Sequence, residues 1–412
     1  MKLKILFIIL IIVLALFVRY YRFESRMTFD SEQARSLVVS GNYLKDKLSL
    51  LGQEYFRVTS AGHKLYSGAI FSYTLVPLQI LFKYDPILIT AFFSVLNVFT
   101  GLVLFWVVKK MMGYKMAFLS IILFLFNDLM INHSLFIWIL NYLPLLGTLI
   151  LYEGYLLYNK PKVIYSFVFG LLLGVGINFH YVMIPFTFLL GVFVVWRSKK
   201  RLVAVFVYTI GVILGNLSMI LFDLRHNFYH LRTLWQYMLY TFHTPGQAGI
   251  SYYHFFALWP IFVILGAFVI LFIYRKNRFA GILLVVVYIY FNLTSRWVSF
   301  SRPVGMPEGL TYAKILSASE AIAKDKPDNF NVAVLFGFDA RGFILRYPVE
   351  FIYGDKPLGV EDYPKATSLY VLAENDYNFA GSGRWELKTF PLSKMTTLKV
   401  IDERYSVYKI TK

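Results

Sequence analysis

Long apolar runs, separated by short polar segments, fill residues 1–300 of this chain. A run of about 20 apolar residues is long enough to cross the hydrocarbon core of a membrane as a helix. Ten runs approach or reach that length, and each predicts an apolar helix. They are residues 5–19, 65–82, 86–108, 116–132, 136–157, 163–180, 182–197, 202–222, 255–274 and 279–298. The pattern predicts a polytopic α-helical membrane protein.

Residues 301–412 follow a different pattern, in which charged positions interrupt shorter apolar stretches. Residues 308–323 have the spacing of an amphipathic helix. Four stretches have the composition or the alternation of strands. They are residues 331–336, 368–372, 385–388 and 405–408. We therefore predict a small C-terminal α/β domain over 301–412, after a transmembrane domain over 1–300.

The basic charge of the chain follows the same division. The formal net charge is +18, of which +17 falls in residues 1–300 and +1 in residues 301–412. The excess lies in short loops between apolar runs, which is the pattern of the positive-inside rule. The charge therefore indicates the orientation of a membrane protein, and we predict no nucleic-acid partner. The absence of cysteine excludes disulfides and thiolate metal sites.

The basic loops also predict the topology. Five clusters should be cytoplasmic, and this requires that one of the ten runs does not cross the membrane. The clusters are Lys2 with Lys4, Lys109 and Lys110 with Lys115, Lys160 with Lys162, residues 197–201 and residues 275–278. The run 65–82 contains Pro77 and several polar residues, which suits a helix lying in the outer interface. We predict about nine transmembrane helices, a retained signal-anchor helix with a cytoplasmic N-terminus, and a C-terminal domain on the outer face.

This topology places most groups capable of acid–base chemistry on the outer side. All seven histidines fall in outer loops or at outer helix ends, and so do most of the nine acids of residues 1–300. Polar side chains crowded at one membrane rim indicate a functional cavity, and plain solvation of the loops is the alternative.

Asp30 and Glu32 lie in the polar segment directly after the first apolar run. A carboxylate at such a place is suited to act as a general base. The structural alternative is that Asp30 or Thr28 caps a helix that begins near Ser31, with Glu32 in its first turn. Arg35, at position i+3 from Glu32, is placed to orient that carboxylate.

In the C-terminal domain, residues 339–342 (Asp-Ala-Arg-Gly) follow the first predicted strand. This composition favours a turn into the next helix over a functional site.

Several stretches resemble the GT-C superfamily of integral membrane glycosyltransferases, in the branch of bacterial and archaeal relatives of protein O-mannosyltransferases and lipid A aminoarabinose transferases. The resemblance covers roughly residues 1–300. It begins with the first helix, a long outer loop over 20–85 that opens with an acidic pair and Ala-Arg, and the interfacial helix. Its other stretches are Leu50-Leu51-Gly52 with Thr59-Ser60-Ala61-Gly62-His63 leading to Gly68, Ser134-Leu135-Phe136-Ile137-Trp138 with Asn141 and Pro144, and Phe222-Asp223-Leu224-Arg225-His226.

The resemblance implies a polyprenyl-phosphate sugar donor, an active site on the outer leaflet and a catalytic carboxylate in the first outer loop. By position that carboxylate is Glu32, where the family more often has Asp, and Asp30 is its partner or its replacement. The leaving lipid phosphate needs fixed hydrogen-bond donors. The residues predicted to bind the donor phosphate or the substrate are Arg35, Arg57, His63, Lys64, Arg225 and His226.

We therefore predict a multi-pass membrane glycosyltransferase that moves a hexosyl or pentosyl group to an acceptor hydroxyl of a protein, lipid or glycan, in contact with membrane lipids. A lipid or glycan transporter and a non-catalytic scaffold are the alternatives. The chain has no internal repeat, and its acids cluster at one rim, which argues against a transporter. No ligand spacing predicts a protein-bound metal, and the sequence leaves a divalent ion open.

Overall fold

The computed structural model describes residues 2–45, 48–58, 62–243, 251–325, 328–337, 339, 341–390 and 394–412. Residues 59–61, which belong to one of the stretches quoted above, lie outside the described residues.

Helices make up most of residues 1–300. They are α1 (Lys2–Tyr20), α2 (Phe23–Arg26), α3 (Ser31–Lys45), α4 (Ile70–Leu81), α5 (Pro86–Met112), α6 (Tyr114–Leu125), α7 (Asp128–His133), α8 (Leu143–Asn159), α9 (Val163–Phe179), α10 (Met183–Arg197), α11 (Arg201–Gly215), α12 (Leu217–Arg225), α13 (Tyr229–His243), α14 (Trp259–Lys276) and α15 (Arg278–Leu293). Two short 3-10 helices, Ile139–Tyr142 and Tyr252–Leu258, lead into α8 and α14. Two strands, β1 (Leu51–Val58) and β2 (Lys64–Gly68), form an antiparallel hairpin between α3 and α4.

Within the described part of the chain, three helical segments are long and apolar enough to cross a membrane. They are Pro86–Met112, Ile139–Asn159 and Tyr252–Lys276. A fourth crossing results if α11 and α12, which meet at a bend of 79°, count as one broken span. Five shorter apolar helices are α4, α6, α9, α10 and α15. The apolar runs thus predicted a mostly helical membrane protein correctly, and the count of nine spans stays a prediction.

Three of the predicted helices differ from the observed ones. The run 116–132 is divided, because α6 ends at Leu125 and Asn127 caps a new helix by accepting a hydrogen bond from the Met130 N–H at 3.2 Å. The run 202–222 bends at Asn216, whose side-chain oxygen accepts a hydrogen bond from Asn178 Nδ2 at 3.3 Å. The run 65–82 begins as strand β2, and only α4 is helical.

Helices α9 and α11 approach each other through glycines. A Cβ atom at Gly174 would lie 2.3 Å from the Val212 carbonyl oxygen, and one at Gly211 would lie 2.3 Å from the Phe167 carbonyl oxygen. Gly170 and Gly215 make equally short approaches, so each helix presents two glycines four positions apart. This small-residue pattern lets helix backbones pack closely in a membrane, where van der Waals contact drives association.

The C-terminal part contains four helical segments and a four-stranded sheet. The helices are α16 (Tyr312–Lys324), α17 (Phe343–Tyr347) with a following π-helical turn Pro348–Ile352, a 3-10 turn Tyr363–Lys365, and α18 (Trp385–Lys388). The strands are β3 (Phe330–Val334), β4 (Ser368–Glu374), β5 (Lys394–Val400) and β6 (Tyr405–Thr411). The strand order is β3-β4-β6-β5, with β3 parallel to β4 and the other pairs antiparallel.

The predicted helix 308–323 corresponds to α16, and three of the four predicted strands correspond to β3, β4 and β6. The strand predicted at 385–388 is wrong, because this segment is α18. Glu386 and Leu387 are both buried, which alternation does not allow, and the Glu386 carboxylate accepts a hydrogen bond from the Arg341 N–H at 2.8 Å. The exposed edge strand β5 was not predicted.

The C-terminal part packs against the loop that follows α1. Arg26 Nε donates to the Ser299 carbonyl oxygen at 2.5 Å, just before the C-terminal part begins, and the Thr28 hydroxyl donates to the Val304 carbonyl oxygen, within that part, at 3.0 Å. Farther along, Lys45 Nζ lies 3.3 Å from Glu350 Oε1. These contacts place α3, which carries the acidic pair, between the hairpin β1–β2 and the C-terminal sheet domain.

Candidate functional site

Asp30 caps helix α3. Its Oδ1 accepts hydrogen bonds from the backbone N–H groups of Glu32 at 2.9 Å and Gln33 at 3.3 Å. Burial, with the neighbouring charge of Glu32, raises the pKa of Asp30 to about 6. The backbone hydrogen bonds and the Arg35 charge oppose that rise. The capping alternative drawn from the sequence is thus the role that the structure gives to this carboxyl group.

Glu32 has the opposite environment, although it lies only two residues away. Its side chain is 42% exposed, and both of its carboxylate oxygens accept hydrogen bonds from Arg35 Nη2, at 2.7 and 2.8 Å. Gln53 Nε2 donates to Oε2 at 3.1 Å, and the Ser36 hydroxyl donates to Gln53 Oε1 at 2.6 Å. Because Arg35 and Gln53 are almost fully buried, they hold an exposed carboxylate in a fixed orientation.

Tyr55 lies beside this network, on the same hairpin strand as Gln53. Burial, followed by the Glu32 charge, raises the pKa of Tyr55. Its hydroxyl is buried, and no hydrogen-bond partner for it exists within the described ranges. The ring lies 6.0 Å from that of Tyr181, measured between centroids. Tyr55 therefore lies near the Glu32 carboxylate on one side and the turn after helix α9 on the other.

Tyr181 and His230 form the next polar group. The Tyr181 hydroxyl donates to the Tyr66 carbonyl oxygen and forms a hydrogen bond with His230 Nε2. Burial lowers the pKa of His230, and the Tyr66 carbonyl and the Asp223 charge partly offset that fall. The Asp223 carboxylate accepts hydrogen bonds from the N–H groups of His230 at 2.7 Å and Leu231 at 3.1 Å, which fixes the start of α13 against α12.

An apolar groove opens directly at this polar group. It has a volume of about 270 Å³ and lies between the ends of α9 and α10 on one side and helices α12 and α13 on the other. Its walls include Ile177, Ile184, Met219 and Leu234, and its polar lining includes Tyr181 and His230. A groove with apolar walls and polar groups at one end has the properties of a site for an amphiphile.

The predicted phosphate-binding residues separate into two groups. Arg35 is bonded to Glu32, as described above. His63, Lys64 and His226 gather around Tyr229 instead. The His63 ring lies 5.2 Å from the Tyr229 ring, and the Lys64 N–H donates to the Tyr229 hydroxyl at 3.2 Å. Phe222 stacks on His226 at 4.1 Å and contacts Tyr229 at 6.4 Å.

The Lys64 contact with Tyr229 is made by the backbone. The Lys64 side chain and the two other predicted residues, Arg57 and Arg225, are placed differently. Lys64 Nζ forms an ion pair with Glu54 at 3.3 Å. Arg225 is exposed at the end of α12, next to His226. Arg57 belongs to β1, and its side chain lies outside the described part of the structure.

Asp339 also reaches this region, from the C-terminal domain. It is fully buried and accepts hydrogen bonds from the N–H groups of Phe343 at 3.1 Å and Ile344 at 3.0 Å. Its carboxyl group faces Ser31, in the first turn of α3. Burial raises the pKa of Asp339 to about 7, and the nearby Asp30 contributes to the rise. The turn predicted for residues 339–342 fits the left-handed φ angles of Arg341 (77°) and Gly342 (65°).

Sequence reasoning missed Gln53, Tyr55 and Tyr181 as members of the site. One signal for Gln53 was available, because it occupies an inward position of an alternating strand, where an apolar residue is expected. Among the described residues, no group of three or more His, Asp or Glu side chains is arranged to hold a metal ion.

No protein-family model matches the chain, and no curated protein matches it significantly. Solved structures do match. ArnT from Cupriavidus metallidurans in the apo state superposes with a TM-score of 0.55 at 12% identity, over 98% of this chain and 97% of that one. The same protein bound to undecaprenyl phosphate gives a TM-score of 0.52 at 12% identity, over 98% of both chains.

A third match is the oligosaccharyltransferase of Archaeoglobus fulgidus in complex with Zn and sulfate. Its TM-score is 0.49 at 10% identity, over 88% of this chain and 67% of that one. The likeness to ArnT extends over the C-terminal sheet domain as well as the helices, since it includes nearly the whole of each chain.

Proposed function

We propose that this chain, which has the fold of the GT-C membrane glycosyltransferases, transfers a sugar from a polyprenyl-phosphate donor to an acceptor hydroxyl. The observation that carries the proposal is the Glu32 carboxylate. It is 42% exposed, while Arg35, 4% exposed, binds both of its oxygens. A general base requires a carboxylate that is held in a fixed orientation and is accessible to the acceptor hydroxyl.

In the proposed reaction, Glu32 accepts the proton of the acceptor hydroxyl while the acceptor oxygen attacks the anomeric carbon of the sugar. A bond forms between that oxygen and that carbon. The bond between the carbon and the phosphate oxygen breaks, and its electron pair leaves with the lipid phosphate. Asp30 and Glu32 have different roles in this proposal. Asp30 holds the first turn of α3, whereas Glu32 is the base, which Arg35 orients.

The leaving phosphate requires cationic donors near the carboxylate. We assign this role to the group around Tyr229, which comprises His63, Lys64 and His226, and to Arg225, which is exposed next to His226, because Arg35 is already engaged by Glu32. The apolar groove beside Tyr181 and His230 would take the isoprenoid chain of the donor. ArnT bound to undecaprenyl phosphate, a lipid phosphate of this class, supports the choice of donor.

The placement in the membrane is part of the proposal. We retain nine spans, a cytoplasmic N-terminus, an active site on the outer face and a division into a transmembrane part, 1–300, and an outer α/β domain, 301–412. The basic loops support this orientation. A transporter and a scaffold remain the rival functions, and neither requires an oriented base at Glu32.

The test uses the full-length protein in proteoliposomes with a radiolabelled polyprenyl-phosphate sugar and an extract of membrane and envelope acceptors. Glu32→Gln keeps the size of the side chain and removes the base, so transfer should fall by about 100-fold or more. Transfer measured with and without a chelator tests the prediction that no protein-bound metal takes part.

Glu24→Gln is the matched control, because Glu24 is an exposed acid in the first turn of the nearby helix α2. It should transfer at the wild-type rate. Equal transfer by wild type and Glu32→Gln, at equal expression, would contradict the assignment of the base. Movement of the labelled lipid across the bilayer without any transfer would favour the transporter.

A further inference from the structure

Helix α17 and the π-helical turn after it press the C-terminal domain against α3. Gly41 lies so close to Phe351 that a Cβ atom there would be 2.3 Å from the ring. Phe29, directly before Asp30, packs on Tyr347 with ring centroids 6.2 Å apart. The position of α3 along the C-terminal domain is therefore fixed by close packing at both of its ends.

Asp339 is the residue of the C-terminal domain that faces the acidic end of α3. Its carboxyl group is fully buried, accepts two backbone hydrogen bonds and lies beside Ser31 and Asp30. Among the described residues, the titratable and charged groups around this place are Asp30, Glu32 and Arg35 of α3, Tyr363, Arg341 with its partners Glu386 and Glu361, and Arg346 of α17. Arg346 donates to the Arg341 and Leu358 carbonyl oxygens and to Asn331 Oδ1. Both Arg35 and Arg341 have carboxylate partners of their own.

We propose that Asp339 is a positioning residue for the transfer reaction, held as a neutral carboxylic acid against the first turn of α3 so that Asp30 and Glu32 keep their charges and their places. This inference rests on the proposed function for its link to transfer. It makes the C-terminal domain a part of the active site through Asp339, which acts on the base by way of α3.

A third negative charge beside Asp30 and Glu32 would be costly. A fully buried carboxylate with two backbone donors, next to one or two other carboxylates, is destabilised by desolvation and by repulsion. Asp30 is the better place for a charge, because it has the Arg35 cation nearby as well as two backbone donors. The raised pKa of Asp339, about 7 against about 6 for Asp30, agrees with this order.

Ionisation of Asp339 would disturb the base. The new charge would repel Asp30, whose carboxylate interacts with Arg35, the cation that orients Glu32. We therefore expect the wild-type transfer rate to decline as pH rises through about 7, where Asp339 loses its proton.

The first test is the pH profile of transfer by Asp339→Asn in the full-length protein. Asparagine has nearly the shape of a protonated aspartic acid and retains one acceptor for the helix cap. The variant should transfer at least as well as wild type at pH 7, and its alkaline decline should begin about one pH unit higher or more. A profile identical to that of wild type would overturn the inference.

Asp402→Asn is the matched control. Asp402 also accepts hydrogen bonds from two backbone N–H groups, those of Arg404 and Tyr405, both at 2.8 Å, but it lies in the turn between β5 and β6. Although burial opposes it, the Lys314 ammonium lowers the pKa of Asp402. Its pH profile of transfer should keep the wild-type shape, even if the domain loses some stability.

The second test does not depend on transfer. A carboxyl group whose folded-state pKa is raised binds more protons in the folded state, so its contribution to stability is present at low pH and is lost as pH rises through the folded-state value. Between pH 4 and 7 the melting temperature of Asp339→Asn should therefore decline less steeply than that of wild type.

The two tests separate the two proposals. A flattened melting profile without any transfer by wild type would contradict the proposed function and leave the neutral, buried Asp339 supported. If Asp339→Asn melts with the same dependence on pH as wild type and its pH profile of transfer is unchanged, Asp339 is not a positioning residue. Asp339→Ala should melt at a lower temperature than either, because the N–H groups of Phe343 and Ile344 lose their acceptor.

Discussion

Two acids in one helical turn have different environments, and the difference decides which chemistry each is suited for. Asp30 is directed inward, where its carboxyl group is used by the backbone of α3. Glu32 is directed outward, where an arginine and a glutamine hold it from one side only. The long side chain of Glu32 places its carboxylate at a solvent-accessible position next to the buried side chains of Arg35 and Gln53.

Tyr55 provides a prediction at the same scale. Its hydroxyl has no hydrogen-bond partner within the described residues and lies near the Glu32 charge, and we expect it to form a hydrogen bond with the substrate. Tyr55→Phe should lower kcat/KM for transfer by about 10-fold, the loss of one hydrogen bond of roughly 1–1.5 kcal/mol. It should leave the melting temperature unchanged or raise it, because an unsatisfied buried donor is removed.

Transfer kinetics and thermal unfolding check this prediction together. Tyr73→Phe is a suitable control, since the Tyr73 hydroxyl donates to the Ser49 carbonyl oxygen at 2.8 Å on the exposed side of the same loop. Wild-type kinetics for Tyr55→Phe would show that its hydroxyl does not meet the substrate.

At the residue scale, the sequence was informative only for contacts made within one helix. The spacing of Glu32 and Arg35 predicted their ion pair, because residues three apart lie on one side of a helix. Gln53, Tyr181 and His230 reach the site from a hairpin and from helices far along the chain. No spacing rule relates such residues, so only the tertiary structure brings them together.

At the scale of elements, apolar runs predicted helices well and their ends poorly. Run length measures hydrophobicity, whereas helix ends depend on single polar residues such as Asn127 and Asn216. The strand predicted at residues 385–388 was wrong for a related reason. Four residues of alternating character fit a strand and a single helical turn equally well. Only the tertiary structure shows that Glu386 is buried and accepts a hydrogen bond from the Arg341 N–H.

The close packing of α9 on α11 leads to a prediction at this scale. Gly174→Ala places a methyl group 2.3 Å from the Val212 carbonyl oxygen, so the helices must separate, and we expect a loss of about 1–3 kcal/mol of stability. Gly154→Ala is the matched control, because its nearest neighbour, the Phe169 ring, lies 3.7 Å away. This variant should be neutral or stabilising by up to about 1 kcal/mol, since alanine is the better helix former.

Thermal unfolding of both variants in detergent provides the measurement. Equal melting temperatures for the two alanine variants would mean that α9 and α11 can separate to accommodate the methyl group without loss of stability. The comparison also bears on the groove, because α11 leads through its 79° bend into α12, which forms a groove wall.

For the whole molecule, orientation is the property to test. The basic loops predict that residues 301–412 lie on the outer face, where the sheet domain meets the loop bearing Glu32. A cysteine added after Lys412 has no competing thiol, because the chain contains no cysteine. A membrane-impermeant maleimide should therefore label intact cells expressing this variant, and a cysteine introduced at Lys199 should react only after the cells are lysed. Labelling in the reverse order would overturn the topology.

The docking of the sheet domain on α3 has a consequence for biosynthesis. Lys45 and Glu350, which pair across this contact, are 305 positions apart in the chain, and Thr28 and Val304, which are hydrogen-bonded just before α3, are 276 apart. Bringing such distant segments together carries an entropic cost, and the contacts that offset it form only after both segments have been synthesised. The loop with Glu32 is therefore made early and completed last, so under the proposed function a chain truncated before the sheet domain should transfer no sugar.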